Sequence, residues 1–223
     1  MARLPSETQR IIDQYLDQYK IPRIEEPSRY YPVSTTTSVV AVRFDKGVTM
    51  AGDSQITFNN MAKYFGKRRI IRINENIVLG CSGDFADYQH LLKRIKEMVT
   101  DDVQFNDGRI LLPSELHTWL TRVVYGRRST VDNLGTAYTD RVVATGLGSY
   151  LATPLIREYL NPDKPYMTQF EAESLVEKCM HVMFYRDSHS SANYQLATIT
   201  TDKNIRIYSD IDIEQDWDLA NIV

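Results

Sequence analysis

The stretch Thr35–Asp53, TTTSVVAVRFDKGVTMAGD, limits the possible folds more than any other part of the chain. Val39, Ala41 and Arg43 alternate with Val40, Val42 and Phe44, and Asp45-Lys46-Gly47 supplies a turn. Val48, Met50 and Gly52 then alternate with Thr49, Ala51 and Asp53. Both segments are apolar at nearly every position, so the pattern predicts a hairpin covered on both faces, inside a sheet. Threonines precede the first strand, and an acid ends the second. If the chain is cut before a threonine, that residue carries an amine beside its own hydroxyl, and is nucleophile and base at once. An aspartate on the neighbouring strand could hold a cation that tunes the pair. The same letters also suit a polar lead-in to a strand, and spacing alone favours that plainer reading.

At 223 residues the chain fits one domain with a sizeable core. A net charge of -3 gives no basic surplus for nucleic acid. Apolar runs such as Leu196–Ile199 are too short to cross a bilayer, and the N-terminus has no apolar signal core. Cys81 and Cys179 are isolated in apolar surroundings, which predicts buried thiols in a reducing compartment rather than a disulfide or a metal site. His90, His117, His181 and His189 lack ligand spacing, and no metal or cofactor is expected. Gly146-Leu147-Gly148 is a weak phosphate-loop pattern, since Leu151 stands where the third glycine belongs. Fourteen tyrosines against ten glycines favour a surface that contacts other proteins.

Along the chain, residues 6–20 have helical spacing, and Pro22, Pro27 and Pro32 then impose an extended arm. Ser54–Gly66 reads as polar and irregular. Arg69–Ile73 and Ile77–Gly80 bracket Asn74-Glu75-Asn76 as a second hairpin. Asp84 is placed to cap a helix with its stripe at Phe85, Tyr88, Leu91, Leu92, Ile95, Met98 and Val99, followed by a loop over Asp101–Gly108. Pro113 opens a helix that Gly126-Arg127-Arg128 ends. Residues 129–141 are turn-rich and lead to a short strand over Val142–Gly148. Ser149–Leu160 is predicted helical with Pro154 near its first turn. Thr168-Gln169-Phe170-Glu171 forms a capping box for a helix to about Tyr185. Tyr194–Thr200 and Asn204–Tyr208 make a last hairpin. Strands run together and helices run together, unlike a doubly wound fold, and two face-to-face sheets with outer helices fit the order.

These segments resemble β-type subunits of the eukaryotic 20S proteasome. The resemblance is carried by TTTSVVAVRFDKGVTMAGDSQ, VLGCSGDFADYQHLLK, SELHTWLTRVVYGRRS, VVATGLGSYLATPLIREYL and FYRDSHSSANYQLATIT, over most of residues 35–201. GRRS and YRDSHSS point to the beta-seven position, called beta type-four in some species. The resemblance implies an α+β fold, the four-layer αββα sandwich of N-terminal-nucleophile hydrolases. It divides the chain into an arm or propeptide-like extension over residues 1–34 and one domain over 35–223. It also implies that one sheet strand is missing after Ser129, and that the short tail beyond Trp217 lacks the reach of longer members across the ring interface.

Active members of that family cut peptide bonds with an N-terminal threonine. The resemblance places the nucleophile on Thr37, the acid on Asp53, the lysine position on Arg69, and the late acid and serine on Asp187 and Ser190. The autolysis glycine position falls on Thr36, the oxyanion glycine on Gly83, and an expected serine on Leu147. Arg69 departs most, because a guanidinium stays protonated where a lysine amine can be tuned. Lys67 sits two residues away on the same predicted strand face, too far to replace it. Without a cut, Thr37 carries a peptide nitrogen, which is not a base. These positions therefore read as degenerate counterparts, with no catalytic residue. The resemblance implies a non-catalytic structural subunit of the core particle, supporting its assembly and hence ubiquitin-dependent protein degradation. Its partners would be the beta-six and beta-one positions, the opposite β ring and the α ring, in cytoplasm and nucleus. One alternative is an active threonine protease freed by cleavage before Thr37. Another is an unrelated hydrolase using Asp187, His189 and Ser190, whose crowding argues against a triad.

Overall fold

The computed structural model describes residues 34–58, 61–105, 108, 110–126, 139–160 and 167–215. All of them belong to one compact unit, Val33–Val223. The helix expected over 6–20, the arm over 1–34 apart from Ser34, the missing strand after Ser129 and the tail at Trp217 lie outside the described residues; Ser34 belongs to a strand of the domain.

The leading hairpin forms as its alternation predicts. Strands β2 (Val39–Phe44) and β3 (Gly47–Asp53) pair antiparallel from Phe44↔Gly47 to Val39↔Gly52, across a two-residue turn. Gly47 is required there, since a Cβ would lie 2.1 Å from the Ile199 carbonyl oxygen. β9 (Val142–Ala144) pairs with β2, while β10 (Asn193–Thr200) pairs with β3 and with β11 (Ile205–Asp212). The five-stranded sheet runs β11-β10-β3-β2-β9, with the leading hairpin inside it.

A second sheet runs β5-β4-β1-β8, built from β1 (Ser34–Thr36), β4 (Ile56–Phe58), β5 (Met61–Tyr64) and β8 (Gly83–Asp84). Here the structure corrects the sequence reading: Ser54–Gly66 holds two strands. Its polar letters hide them because β4 meets the threonines of β1, with Thr35 Oγ1 2.9 Å from Thr57 Oγ1. β6 (Ile70–Arg72) and β7 (Val78–Gly80) form the expected hairpin as a separate two-stranded ladder.

Helices cover each side. Helix α1 (Phe85–Phe105) starts where Asp84 Oδ1 accepts from the amides of Ala86 at 2.7 Å and Asp87 at 3.2 Å. It runs through the loop expected from Asp101, because no glycine or proline interrupts it before Gly108. With α2 (Pro113–Gly126) it closes a core of Ile77, Ile95 and Leu116 against the β6-β7 hairpin. On the five-stranded sheet lie α3 (Gly148–Tyr159) and α4 (Gln169–Arg186). Pro154 stands in the second turn of α3 rather than the first, since the helix already starts at Gly148. The capping box at Thr168 and Glu171 is formed in both directions. This larger core holds Val40, Val42, Phe44, Ile156, Val176 and Met180. The whole is an α+β sandwich of helices, two sheets and helices.

Burial ranks these positions. Ile156→Ala, at a fully buried site, should lower unfolding free energy by about 2–5 kcal/mol. Thr168→Ala should remove about 1 kcal/mol with the cap, and Phe170→Ser, at an 80% exposed side chain, should stay within about 0.5 kcal/mol. Urea titrations of the three variants check the ranking.

Candidate functional site

Two crossovers between the sheets build the site. The chain leaves β1 at Thr36 and enters β2 at Val39, so Thr37 and Ser38 are the whole connection. It leaves β3 at Asp53 and enters β4 at Ile56, so Ser54 and Gln55 form the second. Because β1 pairs with β4 and β2 with β3, the crossovers lie side by side. Backbone turned out of both ladders there needs other partners.

Arg69 supplies them. It is fully buried, just before β6. Its Nε donates to the Asp53 carbonyl at 2.7 Å, and Nη1 to the Thr37 carbonyl at 2.7 Å. Its Nη2 donates to the Ser38 carbonyl at 3.0 Å, to Thr37 Oγ1 at 3.2 Å, and to Asp53 Oδ1, with which it forms a buried ion pair. Thr37 Oγ1 donates to that same carboxylate oxygen. The Ser191 amide donates to Asp53 Oδ2 at 3.1 Å. Burial pushes the Asp53 carboxyl up and the Arg69 guanidinium down, and their mutual attraction opposes both shifts. The cation expected beside the aspartate is thus a guanidinium that contacts both acid and threonine.

Gln195 holds the arginine and was missed by sequence reasoning. Its Oε1 accepts from the Arg69 amide at 2.8 Å and the Ile70 amide at 3.1 Å, with the side chain 1% exposed. The available signal was a long polar residue set among apolar neighbours in a central strand. Ser38 was also missed. Its Oγ accepts from the Gly148 amide at 2.7 Å, at the start of α3 beside Leu147, where the family places a serine.

The remaining positions gather less closely. Asp187 ends α4 and accepts at Oδ1 from the His189 amide at 2.9 Å, while the Ser190 amide donates to the Asp187 carbonyl at 3.0 Å. Among the described residues no hydrogen bond joins either side chain to Thr37. Asp187 Oδ1 at 3.4 Å and Ser188 Oγ at 3.3 Å both approach Nδ1 of His189. A triad needs the acid and the nucleophile on opposite ring nitrogens, and among the described residues no hydrogen bond joins the Ser190 hydroxyl to His189, so Asp187, His189 and Ser190 do not form one. Lys67 is exposed and outside β6, correcting its expected place on the strand face; Gly66 at φ +64° turns the chain just before it. Gly83, at φ +92°, pairs with Thr36 and accepts the Thr36 hydroxyl at its carbonyl at 3.0 Å. No His, Cys, Asp and Glu cluster suited to a metal occurs among the described residues.

The arrangement lacks two parts of a threonine nucleophile. Thr37 follows β1 directly, so its nitrogen is an amide wherever the Thr36–Thr37 bond is intact. The group beside its hydroxyl is a guanidinium whose three nitrogens are all hydrogen-bonded. The segment ahead of it, Ser34–Thr36, lies between β4 and β8 and pairs with both.

Arg69→Met should destabilise the chain by about 3–5 kcal/mol by leaving Asp53 buried without its cation, and adding Asp53→Leu should recover much of the loss. Denaturant titration of the double-mutant cycle measures this. Burial also pushes the thiols of Cys81 and Cys179 up to about 12. Neither is a thiolate near neutrality; Cys179, fully buried as expected, should be modified only on unfolding, whereas Cys81 is half-buried against the sequence expectation and should react slowly in the folded chain. Since the folded values lie above the ordinary 9.0, their contribution to stability is complete below about pH 9 and falls as pH rises towards 12. Thiol labelling and melting curves across that range check both signs.

Comparison with known proteins gives the family. The family profile described as "Proteasome subunit" matches residues 33–125 and 127–199. Proteasome subunit beta type-4 of Xenopus laevis is 37% identical over 214 residues, covering 86% of this chain and 88% of the relative. The Drosophila melanogaster protein of the same name is 33% identical over 213 residues, with 85% and 79% covered. Proteasome subunit beta type-7 of Saccharomyces cerevisiae is 31% identical over 219 residues, with 85% and 82% covered. The chain belongs to the proteasome subunit family, in its β-type branch.

Proposed function

We propose that this chain is a non-catalytic structural β subunit of the 20S core particle, at the beta-seven (beta type-four) position. Its relatives named beta type-4 and beta type-7 support the position. The single observation that carries inactivity is Arg69, whose guanidinium fills the place of a tunable amine against Thr37 Oγ1 and Asp53. Thr37, Asp53, Arg69, Asp187 and Ser190 are degenerate counterparts of an active set, kept as a structural junction. The subunit sits between the beta-six and beta-one positions and touches the opposite β ring and the α ring, in cytoplasm and nucleus. Residues 1–34 act as an arm ahead of the domain at 35–223, a division supported by a family match that starts at residue 33. The subunit contributes interfaces, and the complex degrades ubiquitin-tagged protein through other subunits.

In purified core particle, an epoxyketone that captures N-terminal threonines should label catalytic subunits and leave Thr37 free. A labelled Thr37, or an intact mass for a chain beginning at Thr37, supports the active-protease alternative instead. Arg69→Lys alone should also leave Thr37 unlabelled, because the nitrogen stays an amide.

A further inference from the structure

The β6-β7 ladder has a second side. In it the Ile73 amide donates to the Ile77 carbonyl at 3.0 Å, and the Cys81 amide to the Arg69 carbonyl at 3.2 Å. Ile71 faces Leu79 midway between those pairs. In an antiparallel ladder hydrogen-bonded pairs alternate with unbonded ones, so the N–H and C=O groups of Val78 and Gly80 point away from β6. No strand pairs with that edge of β7 among the described residues.

Beside the edge lies a largely apolar cavity of about 340 Å³. Leu79, Cys81, Leu91, Leu120 and Val123 line its apolar wall, which draws on β7, α1 and α2. The Tyr88 ring also lines it, and the Tyr88 hydroxyl is a buried polar atom with no hydrogen-bond partner among the described residues. Asp84 and Asp87 add negative charge to the same cavity. Among the described residues, an unpaired backbone edge, an apolar hollow, an unpartnered hydroxyl and two carboxylates therefore coincide.

We propose that the free edge of β7 is a strand-addition site filled by an extended segment of a neighbouring subunit, with an apolar side chain in the hollow and a basic residue near Asp84 and Asp87. The alternating edge selects an extended backbone rather than a helix or a small molecule, since Val78 and Gly80 repeat at strand spacing. The apolar wall selects the inserted side chain, and the carboxylates select the sign of its neighbour. Covering the edge also removes an exposed template for unspecific pairing. The proposal rests on the assembly role above, which puts such segments within reach.

Amide hydrogen exchange at single-residue resolution tests it, on the full-length chain alone and in purified core particle. Val78 and Gly80 should exchange fast in the free chain and at least about tenfold more slowly in the particle. Leu79, bonded towards β6, serves as the reference and should be protected in both. Slow exchange of Val78 and Gly80 in the free chain would mean that the chain covers its own edge, and overturns the proposal. Fast exchange in the particle also overturns it while leaving the assembly role intact, whereas absence of the chain from the particle sinks both. Val123→Trp, filling the hollow, should reduce incorporation or leave Val78 and Gly80 fast in the particle. Incorporation and protection equal to wild type contradict the proposal. If that variant loses Leu79 protection, the wild-type comparison decides.

Discussion

The buried pair of Arg69 and Asp53 is the constraint around which the rest is arranged. Two charges out of water cost several kcal/mol each unless hydrogen bonds complete them. Here the guanidinium meets three backbone carbonyls as well as the carboxylate and a hydroxyl. Those carbonyls belong to Thr37, Ser38 and Asp53, within the connections that carry the chain from one sheet to the other. The arginine therefore replaces ladder hydrogen bonds at the places where the ladders stop. An amine offers three donors on a flexible stem and could not span the same acceptors.

The pair also governs what the threonine can do. Thr37 Oγ1 donates to Asp53 and accepts from Arg69, so its hydroxyl is fixed in a closed network. Activating it requires a base, and the nearest cation cannot surrender a proton near neutrality. The carboxylate is already engaged by Arg69, Thr37 and the Ser191 amide. The network that stabilises the crossovers is the same one that engages the Thr37 hydroxyl.

Much of this was legible in the sequence. Alternation at Val39–Phe44 and Gly47–Asp53 defined the central hairpin because both faces are buried and the pattern has no competing period. The capping signals at Asp84 and Thr168 hold because they act within one turn. The β4 and β5 strands were not legible, since β4 pairs with β1, at least twenty residues earlier, and β5 pairs with β4 alone among the described residues. Gln195 was equally hidden: its partners, the amides of Arg69 and Ile70, lie about 125 residues away. The position of Arg69 came from resemblance. Its five-acceptor geometry came only from the folded crossovers.

Strand β1 adds a second barrier, and the two are coupled. Its residues Thr35 and Thr36 pair with Thr57 and Ile56 on one side and with Asp84 and Gly83 on the other. Pulling β1 out would expose two sheet edges at once, and its last residue leads directly into the carbonyls that Arg69 holds. Arg69 thus anchors the C-terminal end of the strand that fills the slot. Restoring an amine at position 69 would weaken that anchor as well as supply a base, so chemistry and occupancy change together at one side chain. A change of side chain at position 69 therefore alters the hydrogen bonds of the crossover and the hold on β1 together.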